Sequence, residues 1–282
     1  MVELPVGGNP RLTRWVLKVG LNPGGLQGGS GEQYFIGTFD GTQFVNDNPA
    51  TTLWTDYGKD CYCALPFNGK PPGQGAVTIG WMSNWQYADK VPTSPWRGQM
   101  TIPRSVALQT FPDGIRLVQK PVAALATLRD QHIGWHGTDV AALNHAMKAF
   151  RPQSFELRIT VASSNATVGW KLLADDGAFT EVGYDNARQA LFVDRTHSGL
   201  TGFSRDFPAR TEAPLALGHN PLNLTILVDR STVEVFAQGG RVAISNLVYP
   251  PAGVRGIEFN SHRAKPGEIH LDLWSIRSTW NQ

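Results

Sequence analysis

The sequence has little charge, almost no cysteine and no long apolar run, and each shortage excludes something. Asp, Glu, Lys and Arg make up 17% of the 282 residues and leave a formal net charge of +2. No basic run is interleaved with aromatics, so nucleic acid has no electrostatic case. No apolar stretch is long enough to span a bilayer, so no membrane partner is expected. The opening Met1-Val-Glu-Leu-Pro-Val-Gly-Gly8 lacks a charged segment followed by an apolar one. A signal peptide is therefore not expected, and the chain as written is expected to stay in the cytoplasm where it is made. Cys61 and Cys63 are the only cysteines. Alternate strand residues share a face, a bridge between them would be strained, and two thiols make a poor metal site, so both read as small, half-buried side chains. His132 and His136 are four apart with no third ligand at a diagnostic spacing, so no metal site is expected. G-x-S-x-G and P-loop signatures are absent, and no cofactor is implied.

What is present points to strands. Hydrophobic residues are 41% of the chain, with 30 Gly, 19 Pro and 9 Trp. That is enough for a core, and so many Gly and Pro mean many turns and short elements. Core packing is the default reading for most of the tryptophans, sugar stacking the alternative. In the first ~120 residues, Trp15–Val19, Tyr34–Phe39, Thr42–Val45, Cys61–Leu65, Val77–Trp81, Gln99–Ile102, Val106–Gln109 and Ile115–Val118 read as strands, and Asp40-Gly41 as a hairpin turn. Repeated small antiparallel units of this kind suit propeller blades. Lys120-Pro121 reads as a boundary. Leu143, Met147 and Phe150 have helical spacing, with Asp139 as cap. Strands resume at Phe155–Val161, Val168–Leu173, Ala190–Val193, Leu222–Asp229, Thr232–Phe236, Val242–Leu247 and Glu268–Ser275, with Gln238-Gly239-Gly240 as a turn. This second half reads as a β-sandwich.

Two polar clusters could carry chemistry. In Trp54-Thr-Asp-Tyr-Gly-Lys-Asp60, Asp56, Lys59 and Asp60 bracket a turn. They would bind sugar hydroxyls or do acid/base work, or simply stabilise the turn. In Gly80-Trp-Met-Ser-Asn-Trp-Gln-Tyr87, the aromatics Trp81, Trp85 and Tyr87 stand beside Asn and Gln. That combination suits a carbohydrate surface, the alternative being a strand end with buried rings. Asp194-Arg195 and Asp229-Arg230 each follow an apolar strand and read as turn salt bridges.

Six segments together carry a resemblance: Lys18-Val-Gly-Leu-Asn-Pro-Gly-Gly25, Gln33-Tyr-Phe-Ile-Gly-Thr-Phe-Asp-Gly41, Asp56-Tyr-Gly-Lys-Asp60, Gly80-Trp-Met-Ser-Asn-Trp-Gln-Tyr87, Val91-Pro-Thr-Ser-Pro-Trp-Arg-Gly98 and Val228-Asp-Arg-Ser-Thr-Val-Glu-Val-Phe236. In order and spacing they resemble glycoside hydrolase family 32, the invertase, inulinase and levanase type of β-fructosidase. The resemblance implies an all-β fold, with a partial five-bladed propeller (the last blades) over 1–120 and a β-sandwich over 121–282. It implies that Asp56 and Lys59, and more weakly Asp60 and Tyr87, line or shape a pocket for a fructose-containing sugar, sucrose or a fructan. Trp81 or Trp85 would be its aromatic wall, and Glu3 would match a structural glutamate of the family.

The departure is as informative. The family's retaining chemistry needs a nucleophile and an acid/base, both carboxylates. They sit in Trp-Met-Asn-Asp-Pro-Asn-Gly-like and Glu-Cys-Pro segments, and a third acid sits in Arg-Asp-Pro. None of the three segments occurs here; Arg205-Asp206 is followed by Phe. No catalytic residue is therefore assigned. Three readings follow: a β-fructosidase-like chain without its own catalytic pair, a non-catalytic fructan-binding module, and an enzyme with relocated carboxylates (Asp56 and Asp60, with Glu32 or a neighbouring subunit). A part-propeller would expose blade edges, so a homo-oligomer or a complementing chain is expected.

Overall fold

The computed structural model describes residues 1–68, 75–163, 165–175, 177–253 and 255–280. The first nine strands are β1 (Val2–Val6), β2 (Asn9–Leu21), β3 (Gly31–Phe39), β4 (Phe44–Asn46), β5 (Leu53–Trp54), β6 (Tyr62–Pro66), β7 (Ala76–Trp81), β8 (Arg104–Phe111) and β9 (Gly114–Pro121). They make two antiparallel meanders, β1 to β4 and β6 to β9, the four-stranded unit of a propeller blade. A single parallel bridge, Val6 to Leu108, joins them into one sheet. β5 adds to β3 at Leu53 and Trp54. Alternation explains the strands: along β7, and along β8 as far as Leu108, every second residue is buried, and Val16, Ile36, Val106 and Leu108 share one small core. The Asp40-Gly41 turn forms as expected. Asp40 Oδ1 accepts from the amides of Thr42 and Gln43, and Gly41 supplies a φ of 100°.

After a 3₁₀ turn at Ala123–Leu128 come β10 (Arg129–Gly137), α1 (Val140–Lys148), β11 (Ser154–Val161), β12 (Thr167–Asp175), β13 (Ala178–Asp185), β14 (Ala190–Asp194), β15 (Arg210–Pro214), β16 (Leu222–Asp229), β17 (Thr232–Ala237), β18 (Val242–Leu247), β19 (Gly256–His262) and β20 (Ile269–Ile276). One sheet runs β10-β20-β11-β16-β17-β18, the other β15-β14-β13-β12-β19. Their inner faces bury Phe155, Leu157, Trp170, Val182, Ile226, Val235 and Leu273 in one continuous core. α1 closes one side through Leu143 and Met147, and the Asp139 carboxylate caps it by accepting from the amides of Ala141 and Ala142.

Four expectations need correcting. Gln99–Ile102 is not a strand: only Met100 bridges Trp81, and the Ile102 amide donates to the Glu234 carboxylate instead of to a neighbouring strand. Cys61 and Cys63 do not share an environment. A register shift between Tyr62 and Leu65 leaves Cys61 buried and Cys63 exposed, both free thiols. Of the nine tryptophans only Trp170 is fully buried, while Trp85, Trp96 and Trp280 are exposed, so the core does not account for most of the tryptophans. Neither Asp-Arg pair is a turn salt bridge. Asp194 accepts from Thr196 and Asp229 from Ser154, and Arg195 turns inward.

The blades and the sandwich meet along β18. The amides of Tyr57 and Asp60 donate to the carbonyls of Ala243 and Ser245, so the segment between β5 and β6 lies along β18 like an extra strand. This approach needs glycine at 58, where an added Cβ would lie 2.1 Å from the Ser245 carbonyl oxygen. Gly58→Ala is accordingly expected to cost about 1–3 kcal/mol or more in urea unfolding, because backbone on both sides must move. An unchanged midpoint would mean that the two halves are not held in this register.

Candidate functional site

The turn between β5 and β6 sets the geometry. Asp56 is buried and accepts four hydrogen bonds: Oδ1 from the amides of Gly58 and Ser245 (both 2.8 Å), Oδ2 from the Ser245 hydroxyl (2.7 Å) and Arg104 Nη1 (3.0 Å). Arg104 opens β8 and is itself buried. Its Nη2 donates to Glu234 on β17 at 2.6 Å and to the Ser245 hydroxyl. Burial works against the guanidinium charge, but the Glu234 carboxylate, with Asp56, outweighs it and holds Arg104 cationic.

Four residues further on, Asp60 has no exposed surface. Its Oδ1 accepts from the Tyr87 hydroxyl at 2.6 Å, and its Oδ2 accepts from Arg195 Nη1 at 2.5 Å and from the Leu247 amide at 2.8 Å. Arg195 also donates to the Phe207 and Leu247 carbonyls and the Tyr87 oxygen, with its Cζ 3.9 Å from the Phe207 ring centroid. Burial pushes the Tyr87 hydroxyl well above its ordinary pKa, so it stays protonated and able to donate to Asp60. Tyr87, Met82 and Val91 pack with Phe207, Leu247 and Tyr249 in a small apolar cluster at the junction.

Asp56, Asp60 and Tyr87 therefore lie inside the joint between blades and sandwich, with their polar atoms already engaged. Lys59 differs. It is 7% exposed, its Nζ finds no acceptor among the described residues, and it sits 5.9 Å from the centroid of the Tyr87 ring. Burial and then the Arg195 charge lower its pKa, with Asp60 pulling the other way.

Trp81 ends β7 and Trp85 lies in the loop after it. Their rings are 4.9 Å apart, tilted by 45°, and Tyr62 meets Trp81 edge-on at 6.3 Å. Trp81 is half-buried, whereas Trp85 is 57% exposed, so Trp85 presents the open surface of this aromatic ledge. The ledge is held from behind by Asn84, which the sequence reading passed over as one more polar neighbour. Asn84 Nδ2 donates to the carbonyls of Lys59, Gly28 and Ser30, and its Oδ1 accepts from the amides of Ser30 and Gln86. One buried amide thus fastens the glycine-rich loop, the Asp56–Asp60 turn and the tryptophan loop together. Gly29 makes room for it, because a Cβ there would fall 2.1 Å from Asn84 Oδ1. Glu32 on β3 is buried and paired with Lys18 at 2.7 Å, and Lys18 also donates to the Ala64 carbonyl on β6. Glu3 is exposed and accepts from the Thr13 hydroxyl on the paired strand. Sequence reasoning passes over Arg104 and Glu234 and reads Arg195 as a turn residue, and no local signal marks any of them as a partner of this turn. Arg195 lies 135 positions from Asp60 and Glu234 lies 130 from Arg104.

Comparison with known proteins fits this architecture. The family model described as "Glycosyl hydrolases family 32 N-terminal domain" matches residues 1–121, and that described as "Glycosyl hydrolases family 32 C terminal" matches residues 124–275. Levanase of Bacillus subtilis (strain 168) is 38% identical over 288 residues, covering 99% of this chain and 42% of the levanase. Extracellular exo-inulinase of Aspergillus awamori is 36% identical over 296 residues, covering 100% of this chain and 55% of the inulinase. The crystal structure of exo-inulinase from A. awamori superposes with a TM-score of 0.87 at 33% identity, over 99% of this chain and 56% of that one. β-Fructofuranosidase from Schwanniomyces occidentalis, complexed with fructosyl-erythritol, shares the fold with a TM-score of 0.82 at 23% identity, over 98% of this chain and 59% of that one. The chain thus spans about half the length of the relatives it matches.

Two substitutions test the joint. Arg104→Met strands Asp56 and Glu234 in the interior and is expected to cost about 3–5 kcal/mol, most of it recovered when Asp56→Asn and Glu234→Gln are added. Failure of the triple variant to recover would mean that Arg104 acts through packing alone. Lys59→Met is expected to raise stability at neutral pH. Because the folded pKa of Lys59 is lowered, the unfolded chain binds more protons between that pKa and the ordinary lysine value of 10.5. The penalty is full below this window and fades as pH rises through it. The gain from Lys59→Met should therefore shrink as 10.5 is approached; a gain independent of pH would assign it to something other than charge.

Proposed function

Because the chain belongs to glycoside hydrolase family 32, we propose that it forms the last two blades and the sandwich of a β-fructosidase-like protein of the levanase and inulinase type. In this reading it holds a fructose-containing sugar, sucrose or a fructan, and does not supply the nucleophile and acid/base. The observation that carries this is the state of the buried carboxylates around the ledge. Asp56 is paired with Arg104, Asp60 with Arg195 and Glu32 with Lys18, each in a buried ion pair. A nucleophile needs a free oxygen facing the sugar, and an acid/base needs a proton it can give and take. These carboxylates have their oxygens taken by buried cations and are themselves buried, out of reach of a sugar. Relocated chemistry on Asp56, Asp60 and Glu32 is accordingly the weakest reading.

Sugar binding falls to the ledge. Trp85 offers an open ring face for sugar C–H groups, Trp81 braces it, and Lys59 offers an ammonium with no acceptor among the described residues. The bonded pair Asp60 and Tyr87 lies buried behind Lys59, and Asp56 holds the turn that carries it. The missing carboxylates would come from a complementing polypeptide. Such a partner would cover β6, the outermost strand of its sheet, where Leu65 and Phe67 are 65% and 52% exposed.

The test is to incubate the purified chain with sucrose, inulin and levan, measure released fructose, and titrate the same sugars by calorimetry. No release is expected, together with fructan binding that Trp85→Ala weakens by about tenfold or more, the loss of roughly 1.4 kcal/mol of contact. Release that survives repurification would overturn the assignment of the chemistry elsewhere. Binding indifferent to Trp85→Ala would remove the ledge. Self-association or capture of a blade-bearing partner is expected in sedimentation, and a stable monomer with β6 open would contradict the edge argument.

A further inference from the structure

At the end of the six-stranded sheet opposite β18, three side chains with metal-ligating atoms come together. His136 on β10 and His270 on β20 are directly cross-strand, and Glu268 lies two residues before His270 on the same face. The imidazoles stack with centroids 3.9 Å apart at 19°. The Glu268 carboxylate sits between them, with Oε1 2.7 Å from His136 Nε2 and Oε2 3.8 Å from His270 Nε2. One ligand atom from each residue falls within 4.8 Å of the other two. All three side chains are more than half exposed, so ions can reach them without the fold opening.

We propose that His136, Glu268 and His270 form a surface site for a divalent transition metal, Zn2+ above all. Two imidazoles and one carboxylate are the donor set that zinc takes with three protein ligands, water completing the tetrahedron. Metal–ligand bonds of about 2.0–2.2 Å require the three donors to close up slightly, which rotation of exposed side chains allows. Nitrogen donors also select against Ca2+ and Mg2+, which want oxygen. The strands fix the donors in advance: the β10–β20 register places the two histidines opposite each other, so little ordering remains to be done on binding. The sequence reading missed the site because it sought a third ligand near His132 and His136, whereas both partners of His136 lie some 130 positions away. His132 is engaged elsewhere, with Asp272 at 2.8 Å and stacked on Trp274.

The site has a structural consequence. β10 is the edge strand of its sheet and follows the 3₁₀ turn that leaves the blades. A metal held by His136 of β10, His270 of β20 and Glu268 just before β20 fastens that edge to the last strand of the sandwich. It binds the folded chain and not the unfolded one, so it raises the unfolding midpoint.

The experiment is calorimetric titration of the tag-free chain with Zn2+, in parallel with thermal unfolding. One equivalent is expected to bind with a micromolar dissociation constant and to raise the midpoint. His136→Ala and His270→Ala should each weaken binding at least tenfold and abolish the rise, whereas His132→Ala should leave both unchanged. Co2+ in place of Zn2+ should give the visible absorption of a low-symmetry, nitrogen-ligated site, lost in His270→Ala. Ca2+ should give neither heat nor stabilisation. No Zn2+ heat, Zn2+ binding undiminished in the His136→Ala/His270→Ala double variant, equal loss in His132→Ala, or Ca2+ matching Zn2+ would each overturn the site. All the exchanged side chains are exposed, so circular dichroism should be unaltered and binding can be compared directly.

Discussion

Arg104 and Arg195 are buried where water cannot reach them, and the arrangement around them answers the need to neutralise two interior charges. Each guanidinium starts on one side of the joint and finds carboxylate or phenol partners on the other or on both. Removing two charges from water is costly, and the attraction between them offsets that cost only when every remaining donor and acceptor is satisfied. Here nearly all are. Asp56 takes four donors, Asp60 three, and Arg195 gives to four acceptors. The Asp56–Asp60 turn, β18 and the tryptophan loop are placed by these bonds, and the aromatic ledge is placed by the loop.

That constraint explains a tension in the sequence. A cluster such as Asp56, Lys59 and Asp60 has the composition of an active site, and a buried ion-pair network has the same composition. What separates them is where the partners lie. Those of Asp56 and Asp60 are cations, hydroxyls and amides of the same chain, most of them contributed from far along it, whereas Lys59 is left without an acceptor among the described residues. A buried cation kept unpaired costs stability, which makes Lys59 the residue of the turn best suited to meet something that is not part of the fold. Beside it, Trp85 leaves more than half its surface uncovered, the counterpart in apolar surface of the same unfilled demand.

Much of the fold was legible. Alternation marked β2, β3, β7, β8, β11, β12, β16, β17 and β18, and Asp139 with Leu143 and Met147 marked α1. The strands that escaped notice have physical reasons. β10, Arg129–Gly137, has no fully buried residue and carries two histidines and two glycines; it is a strand because β20 pairs with it, not because its own pattern demands one. β1, β13, β15 and β19 are likewise short of apolar alternation at their ends. The site was legible only as a collection of residue types. Its geometry depends on contacts across more than a hundred positions, which no local pattern records, and the same holds for His136 with Glu268 and His270.

The account turns on the claim that blades and sandwich are one folding unit, fastened by Arg104 and Arg195. Scanning calorimetry of the isolated chain tests it most directly. If the ionic joint couples the halves, a single cooperative transition appears, with calorimetric and van't Hoff enthalpies in agreement. Two separated transitions in the unaltered chain, one for each half, would contradict it.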